Sequence, residues 1–206
     1  GQSFGAWNVS GLNITLNGDA NDYVGKGMAG GNIVIQSPKE LKTIASSTVA
    51  IGNTCLYGAT GGRLFVEGIV GERFAVRNSG CIAVVEGSGD HACEYMTGGA
   101  VIFLGKVGNN FGAGMTGGLS FVYDDNQILD SNINAESVEL VKIKPGKYRK
   151  HEEFIYKQIK SHYAKTGSLK AKQILDNFGN EVKKFYIIKP KSSNIDDLLV
   201  IINKAA

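Results

Sequence analysis

The sequence has little of what marks membrane, secreted or disulfide-rich proteins. No apolar run approaches the length that spans a bilayer, and the first residues lack the charged flank and apolar stretch of a signal peptide. The only cysteines are Cys55, Cys81 and Cys93, an odd number without C-x-x-C spacing. They argue against a disulfide framework and favour a reducing compartment, so we expect a cytoplasmic location. With 206 residues, 20 % of them charged, the chain has an ordinary globular composition.

Glycine and charge are distributed unevenly along the chain. Of the 28 glycines, 25 lie within residues 1–124, where the net charge is −2, whereas residues 125–206 carry a net charge of +5. We therefore expect a glycine-rich domain over residues 1–125 and a C-terminal appendage, with one strand and helices, over residues 126–206.

Short apolar runs that follow a glycine recur along the first domain. They read GGNIVIQ, GGRLFVE, SGCIAVV, GGAVIFL and GGLSFVY, at intervals of 31, 18, 19 and 19 residues. A period of about 19 residues with one β-rich run per copy predicts a stacked solenoid whose strands pair in parallel. The long interval indicates an insertion, or a degenerate copy, within residues 38–52.

Two glycine motifs have the spelling of a dinucleotide-binding loop, G-x-G-x-x-G. A phosphate loop needs a strand before the glycines and a helix after them, but here a β-rich run follows both copies. We therefore interpret the glycines as the corners of coils, where a tight bend needs φ > 0 or close backbone approach. Valine at Gly30 or Gly117 should unfold the domain, because we expect φ > 0 there. The predicted corner glycines are Gly25, Gly27, Gly30, Gly31, Gly62, Gly80, Gly99, Gly112, Gly114, Gly117 and Gly118.

Both faces of the predicted strands are apolar, although only one can line the solenoid interior. The outward column is a candidate docking stripe for another domain, since a contiguous exposed apolar stripe marks an interface. The alternative is that the C-terminal segment covers this stripe. Its predicted members are Val34, Phe65, Ala83, Ile102 and Phe121.

The C-terminal appendage has helical spacing over His151–Lys165 and Ser168–Phe178, after a predicted strand over Val138–Ile143. Gly167 is placed to end the first helix and Ser168 to cap the second. Residues 142–191 carry a net charge of +10, so binding of nucleic acid is one alternative, and capping the open end of the solenoid is another. We expect His151 and His162 at the surface or in capping positions.

The densest group of reactive side chains is Asp90-His91-Ala92-Cys93-Glu94. A closed zinc site needs four ligands, and the sequence supplies no second pair, so we predict neither a metal site nor a thiol nucleophile. Paired carboxylates on one face would indicate a polysaccharide-cleaving solenoid. Counted from the aligned glycines, Glu67 and Glu86 fall in different columns, which argues against that activity. No catalytic residue is predicted.

Several runs resemble one known family. GQSFGAW, GDANDYVGKGMAGGNIVI, IGNTCLYGATGG, GERFAVRNSG and GDHACEYMTGG are similar, in this order, to the C-terminal glycine-rich (GXGXG) domain of the glutamate synthase large subunit. HYAKTGSLKAKQIL is similar to the helical end of that domain, and residues 192–206 match nothing in it. The resemblance implies a mainly β fold, a single-stranded right-handed parallel β-helix, in agreement with the 19-residue period.

The resemblance also implies an enzyme that makes glutamate from glutamine and 2-oxoglutarate with FMN and an iron–sulfur cluster. In that family the glutaminase nucleophile, the FMN site and the cluster lie in other domains. We thus expect a scaffold that positions the glutaminase and FMN-binding domains, holds no cofactor, is not catalytic alone and contacts no membrane. A second copy of the chain is a further candidate partner. A related scaffold subunit of formylmethanofuran dehydrogenase, a molybdenum or tungsten enzyme, is the nearest alternative. The sequence does not identify the electron donor. It also leaves open whether the chain is an excised domain or a free-standing subunit.

Overall fold

The chain forms a β-solenoid of about six turns, followed by a C-terminal segment that carries the α-helices. The structure is a computed structural model that describes residues 1–205. The strands are β1 (Asn13–Asn17), β2 (Ala29–Gln36), β3 (Val49–Ile51), β4 (Gly61–Val66), β5 (Ile69–Val70), β6 (Ser79–Val85), β7 (Gly87–Ser88), β8 (Thr97–Phe103), β9 (Gly117–Tyr123), β10 (Val138–Lys142) and β11 (Phe185–Pro190). The helices are α1 (Arg149–Thr166), α2 (Leu169–Asp176), α3 (Phe178–Glu181) and α4 (Ile195–Ala205).

Equivalent strands of successive coils pair in parallel and form one long sheet. Its order is β1-β2-β4-β6-β8-β9-β11-β10, and a smaller sheet of β3, β5 and β7 forms a second side of the solenoid. Each long strand follows a corner, and its β-branched residues suit a sheet buried on both faces. The predicted fold class, a stacked parallel solenoid with a helical C-terminal segment, is confirmed.

The register at β6 differs by one residue from the alignment of the glycines. Leu64 pairs with Ala83 rather than with Ile82, and the ladder is irregular between Ser79 and Ile82. The structural counterpart of Gly61 is Gly80 rather than Ser79, because each lies three residues after the third corner residue, Gly58 or Arg77. In this register Cys81 and Ala83 face the interior and Ile82 faces outward.

The long interval between the first two strong repeats contains an insertion. After β2 the chain forms two short 3₁₀ helices, Lys39–Leu41 and Ala45–Ser47, and only then reaches β3. Strand β3 pairs with β5 of the next coil. The inserted residues 37–48 therefore lie between two strands that are otherwise joined by a short turn.

Two apolar clusters lie on opposite sides of the long sheet. The interior cluster includes Ile33, Leu64 and Val101, together with Phe103, which meets Phe111 edge to face with ring centroids 5.3 Å apart. The outer cluster joins the other face of the sheet to α1, α2 and α4. The central strands of the sheet are therefore buried on both faces.

The C-terminal segment returns to the solenoid and extends its sheet. Strand β11 pairs antiparallel with β9, and β10 pairs antiparallel with β11. As predicted, Gly167 ends α1 in the left-handed region, at φ 72°, and the Ser168 side chain caps α2 by accepting from the Ala171 N–H. The boundary at residue 125 stays a prediction, and residue 206, where the predicted appendage ends, lies outside the described residues.

Candidate functional site

Each coil of the solenoid bends at a corner in which three alternate residues have positive φ. All but one of the described non-glycine residues with positive φ, the exception being Gln127, belong to these corners. The first positions are Ser3, Tyr23, Thr54, Arg73, His91 and Asn110. The middle positions are Gly5, Gly25, Leu56, Ala75, Cys93 and Gly112, and the third positions are Trp7, Gly27, Gly58, Arg77, Tyr95 and Gly114.

The corner backbone alternates between left-handed and right-handed residues, and the amides of successive left-handed residues point alternately to the next coil and to the preceding coil. In one corner the Tyr23 N–H donates to Asn53 O of the next coil at 3.0 Å, whereas the Gly25 N–H donates to Phe4 O of the preceding coil at 2.9 Å. The Gly27 N–H again donates to the next coil, to Tyr57 O at 2.9 Å. A corner inside the stack is thereby hydrogen-bonded on both sides, which satisfies backbone groups that a bend would otherwise leave unpaired.

The predicted corner glycines fall into two structural groups. Gly25, Gly27, Gly31, Gly62, Gly99, Gly112, Gly114 and Gly118 have positive φ. Gly30, Gly80 and Gly117 do not, so the expectation of φ > 0 at Gly30 and Gly117 is wrong. Close backbone approach replaces it: a Cβ on Gly30 would lie 2.6 Å from Ser10 N, and one on Gly117 would lie 2.8 Å from Thr97 C.

The two G-x-G-x-x-G motifs enter β2 and β9 rather than a helix. Paired glycines of adjacent coils leave a shallow groove of about 430 Å³ beside the corners, bordered by Ser10, Asn32, Thr60 and Arg63. The groove exists because the paired glycines have no side chains, and its walls are therefore largely backbone. The strand–turn–helix context of a phosphate loop is not formed at either motif.

The candidate docking stripe lies beneath the chain's own helices. Val34, Phe65, Ile102 and Phe121 belong to the outer cluster, and Phe121 contacts Phe154 of α1 with ring centroids 5.7 Å apart. The stripe is therefore covered by the C-terminal segment, the alternative to docking of another domain. Ala83 was assigned to the stripe wrongly: it lies in the interior, because the register shift at β6 gives its outward position to Val84.

Two buried carboxylates anchor this helical cover. The corrected register aligns Glu67 with Glu86, so the prediction that they fall in different columns is wrong. Lys42 of the insertion bonds Glu67 at 2.8 Å and the carbonyl oxygen of Thr166, at the end of α1, at 2.7 Å. A cation at a helix C-terminus also favours the helix dipole. The insertion thus ties α1 to the sheet.

The second carboxylate, Glu86, meets the junction of α1 and α2. Ser168 Oγ donates to it, and His162 Nε2 lies 3.5 Å from its Oε1. His162 stacks on Phe65 with ring centroids 6.2 Å apart. Both carboxylates are thus engaged under the helices, an arrangement unlike the open cleft that sugar cleavage needs.

The expectation that His151 and His162 lie at the surface is wrong, because both are buried. His162 fills the space between Phe65 and Glu86, and His151 Nε2–H donates to the carbonyl oxygen of Ile195 at 3.2 Å. Burial lowers the pKa of His151, which holds its imidazole neutral. Their helical positions face the sheet, a direction that residue type alone does not reveal.

The cysteines are free thiols buried in the interior. Burial raises the pKa of each, in Cys55, Cys81 and Cys93, to about 12. A neutral, buried thiol is a poor nucleophile and a poor metal ligand. His91 bonds Glu94 at 2.8 Å and lies 3.2 Å from Asn110 Nδ2. Within residues 1–205 no group of three or more His, Cys, Asp or Glu side chains has metal-binding geometry.

The lysines of the C-terminal helices lie mostly on solvated faces. Lys172 pairs with Asp176 at 2.5 Å, and Lys184 pairs with Asp125 at 2.9 Å. Their local partners reduce the charge available to a polyanion. None of the helices in the described part of the chain combines the length and apolar character of a membrane span.

Sequence reasoning missed the exposed residues at the first and third corner positions. Trp7, Arg73, Arg77 and Tyr95 are all exposed and all have positive φ. Alignment of the corners on Gly27 and Gly114 would have placed Arg77 and Tyr95 in a column of glycines, which is the signal that could have found them.

Comparison with known proteins agrees with the geometry. The family model described as "GXGXG motif" matches residues 1–191. The chain is 52 % identical over 202 residues, 98 % of its length, to a ferredoxin-dependent glutamate synthase of Antithamnion sp.. It is 52 % identical over 192 residues to ferredoxin-dependent glutamate synthase 2 of Synechocystis sp., and 46 % identical over 191 residues to glutamate synthase [NADH] of Schizosaccharomyces pombe; each match covers 93 % of this chain.

These relatives are much longer proteins, and the chain spans 13 %, 12 % and 9 % of their respective lengths. They favour the glutamate synthase resemblance over formylmethanofuran dehydrogenase. The repeat, the corner geometry and these similarities together show that the chain belongs to the GXGXG-motif family, as a segment similar to part of glutamate synthases.

Proposed function

We propose that the chain is a structural domain of a glutamate synthase, which holds the glutaminase and FMN-binding domains in register so that ammonia released at one site reaches the other. The observation that carries the proposal is its similarity, over 98 % of its length, to 13 % of a ferredoxin-dependent glutamate synthase. The doubly hydrogen-bonded corners support it, because a stack whose inner coils are bonded to both neighbours is a stiff spacer.

The side chains of this chain do not fit the cofactors of such an enzyme. Iron–sulfur clusters are held by cysteine thiolates, whereas the three thiols here lie in separate coils with pKa values of about 12. FMN phosphate would need a helix N-terminus or an open nest of N–H groups, and the glycine motifs enter strands instead. We therefore propose that FMN and the cluster belong to other domains and that this chain alone catalyses nothing.

The free, buried thiols also support a reducing compartment such as the cytoplasm as its location. The glutaminase and FMN-binding domains are the partners we propose. Self-association of the chain and salt-dependent binding of nucleic acid by α1 and α2 are the competing predictions.

The proposal is tested by a pull-down of the chain against the glutaminase and FMN-domain proteins of the same source, with glutamate synthase activity assayed with and without the chain. We expect binding together with raised or restored activity, and no turnover by the chain alone. Retention on duplex DNA with a steep salt dependence, and none on the synthase proteins, would instead support nucleic-acid binding.

A further inference from the structure

The third corner position has glycine in three coils and large side chains in the others. Gly27, Gly58 and Gly114 take the left-handed backbone without a Cβ, whereas Trp7, Arg77 and Tyr95 take it with one. An L-residue with a side chain is disfavoured in this region, and burial would be the usual compensation. Here the side chains of Trp7 and Tyr95 are 69 % and 57 % exposed, and Arg77 is exposed too. Because glycine occupies the same position in three coils, the fold does not require a side chain there.

Both exposed aromatic rings are held in place by a glycine of a neighbouring coil. The ring of Trp7 covers Gly27, where a Cβ would come 3.0 Å from its Cη2. The ring of Tyr95 covers Gly114, where a Cβ would come 2.6 Å from its Cδ1. One side of each ring is thus fixed on backbone and the other faces solvent. Rigid amphipathic rings of this kind supply contact area at low conformational entropy cost.

Two arginines of one corner, one coil from Tyr95 and three coils from Trp7, have no counterion in the described part of the chain. Arg73 and Arg77 share one corner, and neither guanidinium makes a hydrogen bond or ion pair within residues 1–205. The nearby acids are engaged elsewhere: Asp90 accepts from the Asn109 N–H at 2.6 Å, and Glu94 bonds His91 at 2.8 Å. Guanidinium groups match carboxylates in a planar, bidentate geometry. The charge of this corner is therefore complementary to carboxylates from outside the chain.

We propose that Trp7, Arg73, Arg77 and Tyr95, the corner anchor, bind a carboxylate-bearing protein surface on the remainder of the synthase. The proposal rests on the function proposed above and names the surface through which it acts. Tryptophan, tyrosine and arginine are the residues that dominate binding energy at protein interfaces. Two arginines with the exposed Glu72 beside them do not form the extended basic stripe that a nucleic-acid backbone requires, which favours a protein surface.

The test measures the Kd between the full chain and the remainder of the synthase, purified from the same source without this segment. Arg73→Glu with Arg77→Glu should raise the Kd at least about tenfold, as expected for loss of central arginines. Trp7→Gly with Tyr95→Gly should weaken binding similarly while leaving the melting temperature unchanged or higher, since glycine already occupies this position in three coils. Arg149→Glu, at an exposed arginine on α1, is the matched control and should stay within about twofold of wild type.

The outcomes separate this proposal from the one on which it rests. Binding by wild type that both double variants retain would overturn the corner anchor and leave the scaffold function standing. A wild-type chain that does not bind at all would overturn both. A further outcome is that the double variant Arg73→Glu with Arg77→Glu loses binding to duplex DNA and keeps binding to the synthase. That result would overturn the anchor in favour of a polyanion site. Concentration-dependent dimerisation lost in the same variants would assign the face to a second copy of the chain, which also overturns it.

Discussion

Three glycines with nearly the same backbone conformation should respond very differently to alanine. Gly58, Gly114 and Gly31 have φ values of 62°, 67° and 72°. No heavy atom of the described chain lies within 4 Å of a Cβ built on Gly58, whereas one on Gly114 would lie 2.6 Å from Tyr95 Cδ1. A Cβ on Gly31 would lie 2.5 Å from the backbone oxygen of Val9. Alanine at Gly58 therefore reports backbone strain alone, alanine at Gly114 adds collision with a side chain, and alanine at Gly31 adds collision with backbone.

The expected magnitudes follow from these contacts. Left-handed backbone costs alanine about 1–2 kcal/mol, and the lower entropy of the unfolded chain offsets about 0.4–1 kcal/mol of it. Gly58→Ala should thus destabilise by about 1 kcal/mol. Gly114→Ala should cost a further ~1–3 kcal/mol, because the tyrosine ring must move. Gly31→Ala should exceed about 4 kcal/mol, since its obstacle is backbone that cannot rotate away.

Equilibrium urea unfolding of the three variants measures these free energies, with circular dichroism to follow the transition. Tyr95→Gly in the Gly114→Ala background should recover the collision part and bring the cost close to that of Gly58→Ala. If Gly114→Ala and Gly31→Ala proved no more costly than Gly58→Ala, the close packing of aromatic ring and backbone at these corners would be refuted.

Four further predictions concern the cover of the sheet and the buried titratable groups. Phe121→Ala should destabilise by about 3–5 kcal/mol in urea unfolding, because its ring is buried under α1; a cost below ~1 kcal/mol would mean that the helices leave this face open in solution. Lys42→Met should cost about 2–4 kcal/mol because it leaves the fully buried Glu67 carboxylate without its cation; Glu67→Gln in the same chain should recover part of this, and no recovery would exclude the ion pair as the cause. Burial raises the pKa of Cys81 from 9.0 to about 12, so thiols ionise first in the unfolded state and the free energy of unfolding should fall as the pH rises between these values; Cys81→Ala should reduce that slope, and an unchanged slope would contradict burial of the thiol. Burial lowers the pKa of His151 below 6.5, so the unfolded state takes up the proton first and the melting temperature should drop as the pH falls below 6.5; His151→Gln should lessen the drop, and an equal drop would assign it to other groups.

Much of the solenoid could be predicted because its signals are local. A turn followed by a β-branched run recurs about every 19 residues, and each run forms a strand whichever coil it belongs to. The end of α1 at Gly167 and the cap of α2 at Ser168 were predictable for the same reason, since both depend on one residue and its immediate neighbours.

The register at β6 could not be read from the glycines. The alignment matched Ser79 with Gly61, whereas the structure matches Gly80 with Gly61, each three residues after its corner residue Arg77 or Gly58. One residue of slip exchanges the two faces of a strand, because side chains alternate. That slip put Ala83 on the wrong face and separated Glu67 from Glu86, two carboxylates that lie in equivalent positions.

The repeat, the parallel strands, the corners and the helix ends were determined by the sequence itself, since each depends on a few neighbouring residues and recurs often enough to be recognised. The tertiary structure alone decided that α1 and α4 cover the outer face of the sheet, that His151 and His162 are buried there, and that Lys42 reaches Glu67. It also decided that Trp7 and Tyr95 rest on the glycines of neighbouring coils. The physical reason is that these contacts join residues of different coils and of the distant C-terminal segment. Their energies depend on which surfaces meet, and a periodic pattern predicts that an apolar face will be covered without specifying what covers it.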